Sequence, residues 1–332
     1  MTKNIIKIIA SVAISVLAGY LAFRNVHLKE VIAAIGQADL RLIALLFILM
    51  IAGQVVRSYR WGLMLAPLEP LSQRLLLPIT SIGFLFIWIL PARLGEVTRP
   101  YLLDQNSKVG MSPAMGSVVL ERIIDSGSLV ALLAICLPAL QLPSWLLASF
   151  KGFVYVLLTA VLLLLLGSLP GFRNMVLKFL SRLLPSSLSD ALTRIADTFY
   201  SGMQSVLNVK RLLAILGLTF VVWSTAVISF LILFHAMDLQ LGWLAAVTVL
   251  VLTCIGIALP AAPGFIGNYH YACVVALGLF GVAKDVALAS AILIHFLTVL
   301  VIVLMGVFFM NTSKLKIGFP VLRPEVSKQQ DR

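Results

Sequence analysis

Apolar runs of near twenty residues recur along almost the whole chain. A helix of that length matches the hydrocarbon core of a bilayer, whereas membrane β-strands are about ten residues long and alternate in polarity. The chain has 332 residues, of which 61% are hydrophobic and 11% charged, and its mean hydropathy is +1.07. No soluble domain of this size could hide so much apolar side chain. The expected fold class is an all-α polytopic membrane protein with about 8 transmembrane helices. They are placed near 8–23, 40–60, 113–141, 152–169, 212–235, 242–260, 263–282 and 286–310. Lys3 and Lys7 precede the first run, no small-x-small cleavage site follows it, and it is read as an uncleaved helix.

One apolar segment, Leu75 to Leu90, is slightly too short to cross. It ends in "LPARLGEVTRP" (90–100), which sets Arg93, Glu96 and Arg99 within seven positions, framed by Pro91, Gly95 and Pro100. If the segment crosses, every later helix inverts. Counting Lys and Arg decides between the two arrangements. A segment that dips in and returns puts nineteen of them in cytoplasmic loops and five outside; a crossing segment puts seven inside and seventeen outside. The positive-inside rule therefore selects a re-entrant helix near 75–91 with both termini cytoplasmic. The same loop asymmetry accounts for the net charge of +12 without nucleic acid. Cys136, Cys254 and Cys273 lie inside apolar runs and read as packing residues.

Residues 1–311 are expected to form a single integral-membrane domain, and 312–332 a basic cytoplasmic tail. Within the domain, cytoplasmic amphipathic helices span 171–209. Apolar residues at 172, 175, 176, 179, 180, 183 and 184 share one helical face, while Arg173, Lys178 and Arg182 take the other, as in a helix lying in the membrane interface. Ser187 and Asp190 resemble a capping box for a second helix with Leu188, Leu192, Ile195, Phe199 and Val206 on its face. A packed cytoplasmic hairpin and a lipid-sensing element both fit this pattern. There is also an internal echo. Two spans, a Pro/Gly-broken segment (78–95) and a long span recur as two spans, the broken segment 260–282 and the span 286–310. Such paired breaks point to a transporter's central site.

Charged residues inside a span cost roughly 2.5–3.5 kcal/mol each at mid-helix. The stretch "VVLERIIDSGS" nevertheless puts Glu121, Arg122 and Asp125 in a long apolar helix. Ser117, Glu121, Asp125 and Ser128 fall on one stripe, and Arg122 is spaced to pair with Asp125. The stripe must face the bundle interior or a wet cavity. Together with Arg93, Glu96 and Arg99 it would make a site with arginine in excess, suited to bidentate phosphate binding. Two plainer readings stay open: an internal salt-bridge network that only orients helices, and ordinary cytoplasmic anchoring for Arg93 and Arg99.

In "LPAAPGFIGNYHYACVV", Pro263, Gly264 and Gly267 break a helix, and Asn268, Tyr269 and His270 follow within an apolar span. The backbone groups freed there need partners in protein or a water-filled cavity. His270 could carry a proton, bind a headgroup or simply pack. His295 stands alone in the last helix and reads as structural. The sequence has no Walker loop, no H-E-x-x-H and no G-x-S-x-G, and no metal-ligand constellation. No catalytic residue, metal or cofactor is expected, and the chain reads as a transporter more readily than as an enzyme.

On these motifs the sequence resembles the flippase-like membrane-domain family, the transmembrane region of lysyl-phosphatidylglycerol synthase. A P-x-R-x-G-E-x-x-R pattern is matched by Pro91, Arg93, Gly95, Glu96 and Arg99, and an E-R-x-x-D pattern by Glu121, Arg122 and Asp125. A Pro-Gly turn is matched by Pro263, Gly264 and Gly267; His270 stands where the family carries Glu, and Phe265 where Gly is common. The resemblance implies flipping or scrambling of an anionic phospholipid or polyprenyl-phosphate lipid in a bacterial-type inner membrane. Arg93, Glu96, Arg99, Glu121, Arg122 and Asp125 would bind the headgroup, and Pro263, Gly264, Gly267, Asn268 and His270 would form a second half-site or gate. Because the chain ends about twenty residues past its last span, it is expected to lack the family's soluble synthase domain. Two other functions fit the same residues: a membrane-embedded transferase acting on a lipid-linked substrate, with Glu121 or Asp125 as base, and a non-catalytic partner of a lipid-synthesis enzyme.

Overall fold

The computed structural model describes residues 2–90, 95–140, 144–183, 193, 196–197, 200–202, 208–258 and 262–317. Among them every regular element is helical, as the recurring apolar runs require. The long helices are α1 (Thr2–Phe23), α3 (Leu40–Leu65), α6 (Met111–Cys136), α7 (Ser144–Ser168), α9 (Val209–Ala236) and α12 (Lys284–Thr312). Between them lie α2 (Leu28–Gly36), α4 (Gln73–Ile89), α5 (Thr98–Asn106), α8 (Pro170–Leu183), α10 (Trp243–Ala258) and α11 (Asn268–Gly278). By length and composition α3, α9 and α12 can each cross a membrane. The α6 helix matches α3 in length but carries its three charges, Glu121, Arg122 and Asp125, together near its middle, where those of α3 lie toward its ends.

Polar caps set where the long helices begin. Asp39 accepts the Arg41 amide at 2.7 Å at the start of α3, and Asn208 accepts the Arg211 amide at 3.0 Å at the start of α9. The Asp39 amide donates to the Ala236 carbonyl at 2.9 Å, which joins the start of α3 to the end of α9. The two helices therefore run antiparallel, close enough that Gly53 packs on the Thr225 side chain.

Two short hairpins fill the space between the long helices. In the first, α5 runs back along α4. Gly95 lies so close to the backbone of Phe86 and Ile87 that a Cβ would overlap both. Four residues on, the Arg99 stem lies over Gly83 with its Cδ 3.0 Å from where a Cβ would be. Trp61, Leu76, Ile79, Leu102 and Leu103 seal this hairpin against α3. In the second, α11 turns back on α10. Gly256 packs against Asn268 and Ala272, and the Asn268 amide donates to the Gly256 carbonyl at 3.4 Å.

The sequence placed full spans at 242–260 and 263–282, but the helices there have 16 and 11 residues. At 1.5 Å per residue they reach roughly 24 and 16 Å, short of a hydrocarbon core of about 30 Å. Hydropathy cannot separate a crossing helix from one that returns, because both are equally apolar. The order long helix, hairpin, long helix thus occurs twice, as α3, α4–α5, α6 and as α9, α10–α11, α12. Since α3 and α9 are antiparallel, the two hairpins approach from opposite ends of the bundle.

Their tips meet. Trp88, at the end of α4, stands edge-on to Phe265 with ring centroids 5.2 Å apart, and is equally far from His295 on α12. Phe265 belongs to a 3-10 turn, Pro263–Phe265, that links α10 to α11. The turn and the residues leading into α11 hold three positive-φ residues: Gly264 at φ 71°, Phe265 at φ 56° and Gly267 at φ 92°. Gly267 also presses on α1, where a Cβ would overlap the Ser15 carbonyl. The Ser15 hydroxyl accepts the Ala262 amide at 2.7 Å and donates to the Asn268 side chain at 3.3 Å, so freed polar groups of the break are satisfied by α1.

The α8 helix begins where an interfacial helix was expected, and Met175 and Phe179 stay exposed on it. The expected second helical face (Leu188, Leu192, Ile195, Phe199, Val206), most of the basic tail, and Pro91, Arg93 and Pro260 lie outside the described residues.

Candidate functional site

The α6 stripe is buried as its spacing requires, and its main partner is a residue the sequence left on the surface. Arg60, near the end of α3, is fully buried and grips Asp125 with both arms of its fork, at 2.6 and 3.1 Å. It also reaches Glu121 at 3.2 Å and the Thr219 hydroxyl of α9 at 3.2 Å. Reading the second helix as 40–60 made Arg57 and Arg60 look like flanking charges. The helix continues to Leu65, which draws both into the bundle. Their spacing with Trp61, three and four residues apart on one face, was the available signal.

Arg99 approaches Glu121 from the hairpin side, with Nη2 2.9 Å from Oε2. Its guanidinium lies over the Trp61 ring at 4.2 Å, and the Trp61 indole donates to the Ser117 hydroxyl at 3.1 Å. Arg122 holds Glu121 at 3.1 Å and lies 3.9 Å from Asp125; its side chain keeps 34% of its surface exposed. Glu121 is thus surrounded by three guanidiniums from three helices. Several donors in this cluster stay buried without a hydrogen-bond partner: Nε of Arg60, Arg99 and Arg122, and Nη1 of Arg99. Orphaned polar atoms at this density are rare inside proteins and mark a place that can take up water or an anion.

Beside the cluster opens a cavity of about 350 Å³. Arg57, Glu96, Arg122 and Asp125 line its charged end, and Trp88, Trp223, Phe265 and Tyr269 are among the residues of its apolar body. The cavity therefore runs from the ion cluster to the meeting point of the two hairpin tips. Of the expected gate residues, Asn268 and His270 are buried and do not line it. Asn268 is held by Ser15 and the Gly256 carbonyl. His270 packs edge-on to His295 at 4.7 Å, and its Nδ1 is buried without a partner. His295, read from sequence as a lone packing residue, anchors the break by bonding the Gly264 carbonyl through Nε2 at 2.9 Å.

Far from this cavity, His27, Glu30 and Asp285 bring ligand atoms within 4.8 Å of one another, a spacing open to a metal ion. Asp285 already accepts the His27 amide there at 2.8 Å, which ties the start of α2 to the start of α12.

An all-helical bundle with apolar spanning helices and an amphipathic central cavity defines a multi-pass membrane protein. Its sequence matches the family described as the lysylphosphatidylglycerol synthase TM region over residues 8–306, and the chain belongs to that family. It is similar to glycosyltransferase AglD of Haloferax volcanii, 24% identical over 87% of this chain and 52% of the relative. It is also similar to UPF0104 membrane proteins of Methanocaldococcus jannaschii and Methanothermobacter thermautotrophicus. The first is 27% identical over 66% of this chain and 89% of the relative; the second is 23% identical over 75% and 79%. The chain thus spans about half the length of the glycosyltransferase and most of the other two. No solved structure matches it.

Proposed function

We propose that this protein moves an anionic lipid, a phospholipid or a polyprenyl-phosphate-linked lipid, between leaflets of a bacterial-type inner membrane. The observation that carries the reading is the cavity itself, whose charged end is continuous with an aromatic and aliphatic body. An amphiphile needs both at once: guanidiniums for the phosphate and an apolar channel for the chains. In this reading Arg93, Glu96, Arg99, Glu121, Arg122 and Asp125 form the headgroup site, with Arg60 and Arg99 fixing the acids and Arg122 facing the lipid. The stretch from Pro263 to His270 forms the opposing half-site, facing the cavity through Phe265 and Tyr269 with Asn268 and His270 packed behind them.

The residues up to 311 act as one membrane domain with both termini cytoplasmic, and the α4–α5 and α10–α11 hairpins enter from opposite faces. Their touching tips, Trp88 and Phe265, divide the two sides, and parting them opens one side at a time. Family membership and the apolar helices support a membrane role that involves lipid.

A transferase acting on a lipid-linked substrate is favoured by one observation, the similarity to a protein named as a glycosyltransferase. Against it, both carboxylates offered as bases are tied to arginines, with Asp125 held by a two-pronged fork. A partner of a lipid-synthesis enzyme is the third reading.

Fluorescent-lipid translocation in proteoliposomes of the purified chain separates these. Transport is expected to fall at least tenfold on Arg93→Ala, Arg122→Gln or Glu121→Gln, with no covalent change in the lipid. Equal rates in protein-free vesicles and in vesicles holding folded protein would remove the transport reading. A modified lipid appearing with a sugar donor would favour the transferase.

A further inference from the structure

The cavity holds a second polar place, away from the ions. Gln54 lies near the middle of α3 and Trp223 lies on α9, and both line the cavity. The antiparallel packing of the two helices sets them at one level. Arg60 meets Thr219 at 3.2 Å, and Gly53 packs on the Thr225 side chain, so Gln54 and Trp223 fall between these two contacts. At 1.5 Å per residue, Trp223 stands about 6 Å along its helix from Thr219, and Gln54 about 9 Å from Arg60.

Neither group is satisfied by the protein. Trp223 is 9% exposed, and its indole Nε1 has no hydrogen-bond partner. The Gln54 carboxamide makes no hydrogen bond among the described residues. The hydroxyls that α9 turns to the cavity are already committed: Thr225 donates to the Val222 carbonyl at 2.7 Å, and Ser229 to the Thr225 carbonyl at 2.8 Å. The free donors that α3 and α9 offer at this level are thus those of Gln54 and Trp223. A polar group left unpaired inside a membrane is costly, and such groups mark substrate paths. An indole can only donate, so its partner must be an acceptor; a carboxamide can donate to the same oxygen.

We propose that Gln54 and Trp223 form a hydrogen-bonding subsite that holds an uncharged oxygen of the ligand while its phosphate sits at the arginines. The proposal rests on the lipid-binding reading above. It adds two residues that lie outside every matched motif of the family pattern. The ligand it describes carries a neutral acceptor roughly 6–9 Å from its phosphate, the span set by the helical rise. Two parts of an amphiphile can supply that oxygen: an acyl ester carbonyl on the chain side of the phosphate, or a hydroxyl of the headgroup on the other. An ammonium group cannot, because it has no lone pair.

Binding to the purified full-length protein in detergent tests this, with four lipid probes: phosphatidylglycerol, its dialkyl-ether counterpart, phosphatidylmethanol and polyprenyl phosphate. The ether lipid lacks the ester carbonyls, and phosphatidylmethanol lacks the headgroup hydroxyls. Gln54→Leu and Trp223→Phe are each expected to weaken phosphatidylglycerol about five- to tenfold, the loss of one neutral hydrogen bond. One of the two trimmed lipids should bind the wild type more weakly by a similar factor and lose nothing further in either variant. Which of them does so names the source of the oxygen.

Trimmed lipids that both bind as tightly as phosphatidylglycerol would overturn the proposal, as would wild-type affinity for phosphatidylglycerol in Gln54→Leu. Binding of polyprenyl phosphate alone among the four would overturn it too, since that lipid has no oxygen beyond its phosphate, and would leave the lipid-transport reading standing. Binding of none of the four would take down both. Should Trp223→Phe lower the melting temperature of the lipid-free protein, Gln54→Leu decides alone. Leucine removes a free polar group from the membrane interior, so that variant should melt no lower than the wild type. A lower melting temperature there would show that the carboxamide already serves the fold, and would overturn the subsite.

Discussion

Arg60 and Asp125 stand 65 positions apart in sequence and meet through two nearly parallel hydrogen bonds, at 2.6 and 3.1 Å, inside the bundle. Arg60 also reaches Glu121, so its loss strands two buried carboxylates at once. Removing one partner of a buried ion pair costs about 3–5 kcal/mol, far more than the pair itself contributes over an apolar replacement. Arg60→Ala is therefore expected to destabilise the purified protein strongly, and more than Arg122→Ala, whose side chain is partly exposed. Adding Asp125→Asn to Arg60→Ala should restore part of the loss. Thermal melts of the two single variants and the double variant check this, and strict additivity would deny the coupling.

Gly95 sets how closely the first hairpin closes. Any side chain there meets the backbone of Phe86 and Ile87, which cannot move as a flexible side chain can. Gly95→Ala is expected to push α5 from α4, loosen Arg99 from Glu121, and lower both stability and transport. The cost should reach about 1–3 kcal/mol, as for other overpacked sites. Gly217→Ala, inside α9 with nothing near its Cβ position, should be neutral or slightly stabilising in the same melt.

These two positions also mark how far the sequence could be read. The α6 stripe was legible because Glu121, Arg122 and Asp125 interrupt a long apolar run, where charge has few innocent explanations. Arg60 was harder to read, because a basic residue near a helix end looks much the same whether it anchors to headgroups or turns inward; its spacing with Arg57 and Trp61 was the one local hint, and the extension of α3 to Leu65 decides it. Pro263, Gly264 and Gly267 announced a break. Nothing in their local pattern said that α11 turns back along α10, since that depends on Gly256 meeting Asn268 and Ala272 across the hairpin. Ser15, which satisfies the break, was hidden as one more small residue of α1.

Phe265 holds a left-handed conformation, φ 56°, that a residue with a Cβ adopts only at a cost of roughly 1–2 kcal/mol. What offsets that cost is the contact of its ring with Trp88 at 5.2 Å. Phe265→Ala keeps the strained backbone and loses the ring. Phe265→Gly loses the ring and relieves the backbone. The glycine variant should therefore be the more stable of the two, by about 1 kcal/mol, the reverse of the usual order. Melting temperatures of both variants test it, and alanine outlasting glycine would show that the turn is not strained.

Arg99 shows why a lysine would not serve in this cluster. Its guanidinium is asked to do two things: sit over the Trp61 ring at 4.2 Å and reach Glu121 at 2.9 Å. A planar, delocalised cation can do both, whereas an ammonium is a compact, strongly hydrated charge that stacks poorly and sheds water reluctantly. Its stem must also thread over Gly83, which leaves one path into the site. Arg99→Lys should thus lose most of what Arg99→Ala loses, about 2 kcal/mol or more for a buried charge-assisted bond left unmade. Trp61→Phe should cost less in the Arg99→Lys background than in the wild type, because the stacking partner is already gone. A double-mutant cycle on melting free energies measures that difference. Equal costs in both backgrounds would mean that Trp61 acts only through its bond to Ser117 and its packing, with no share in holding the arginine.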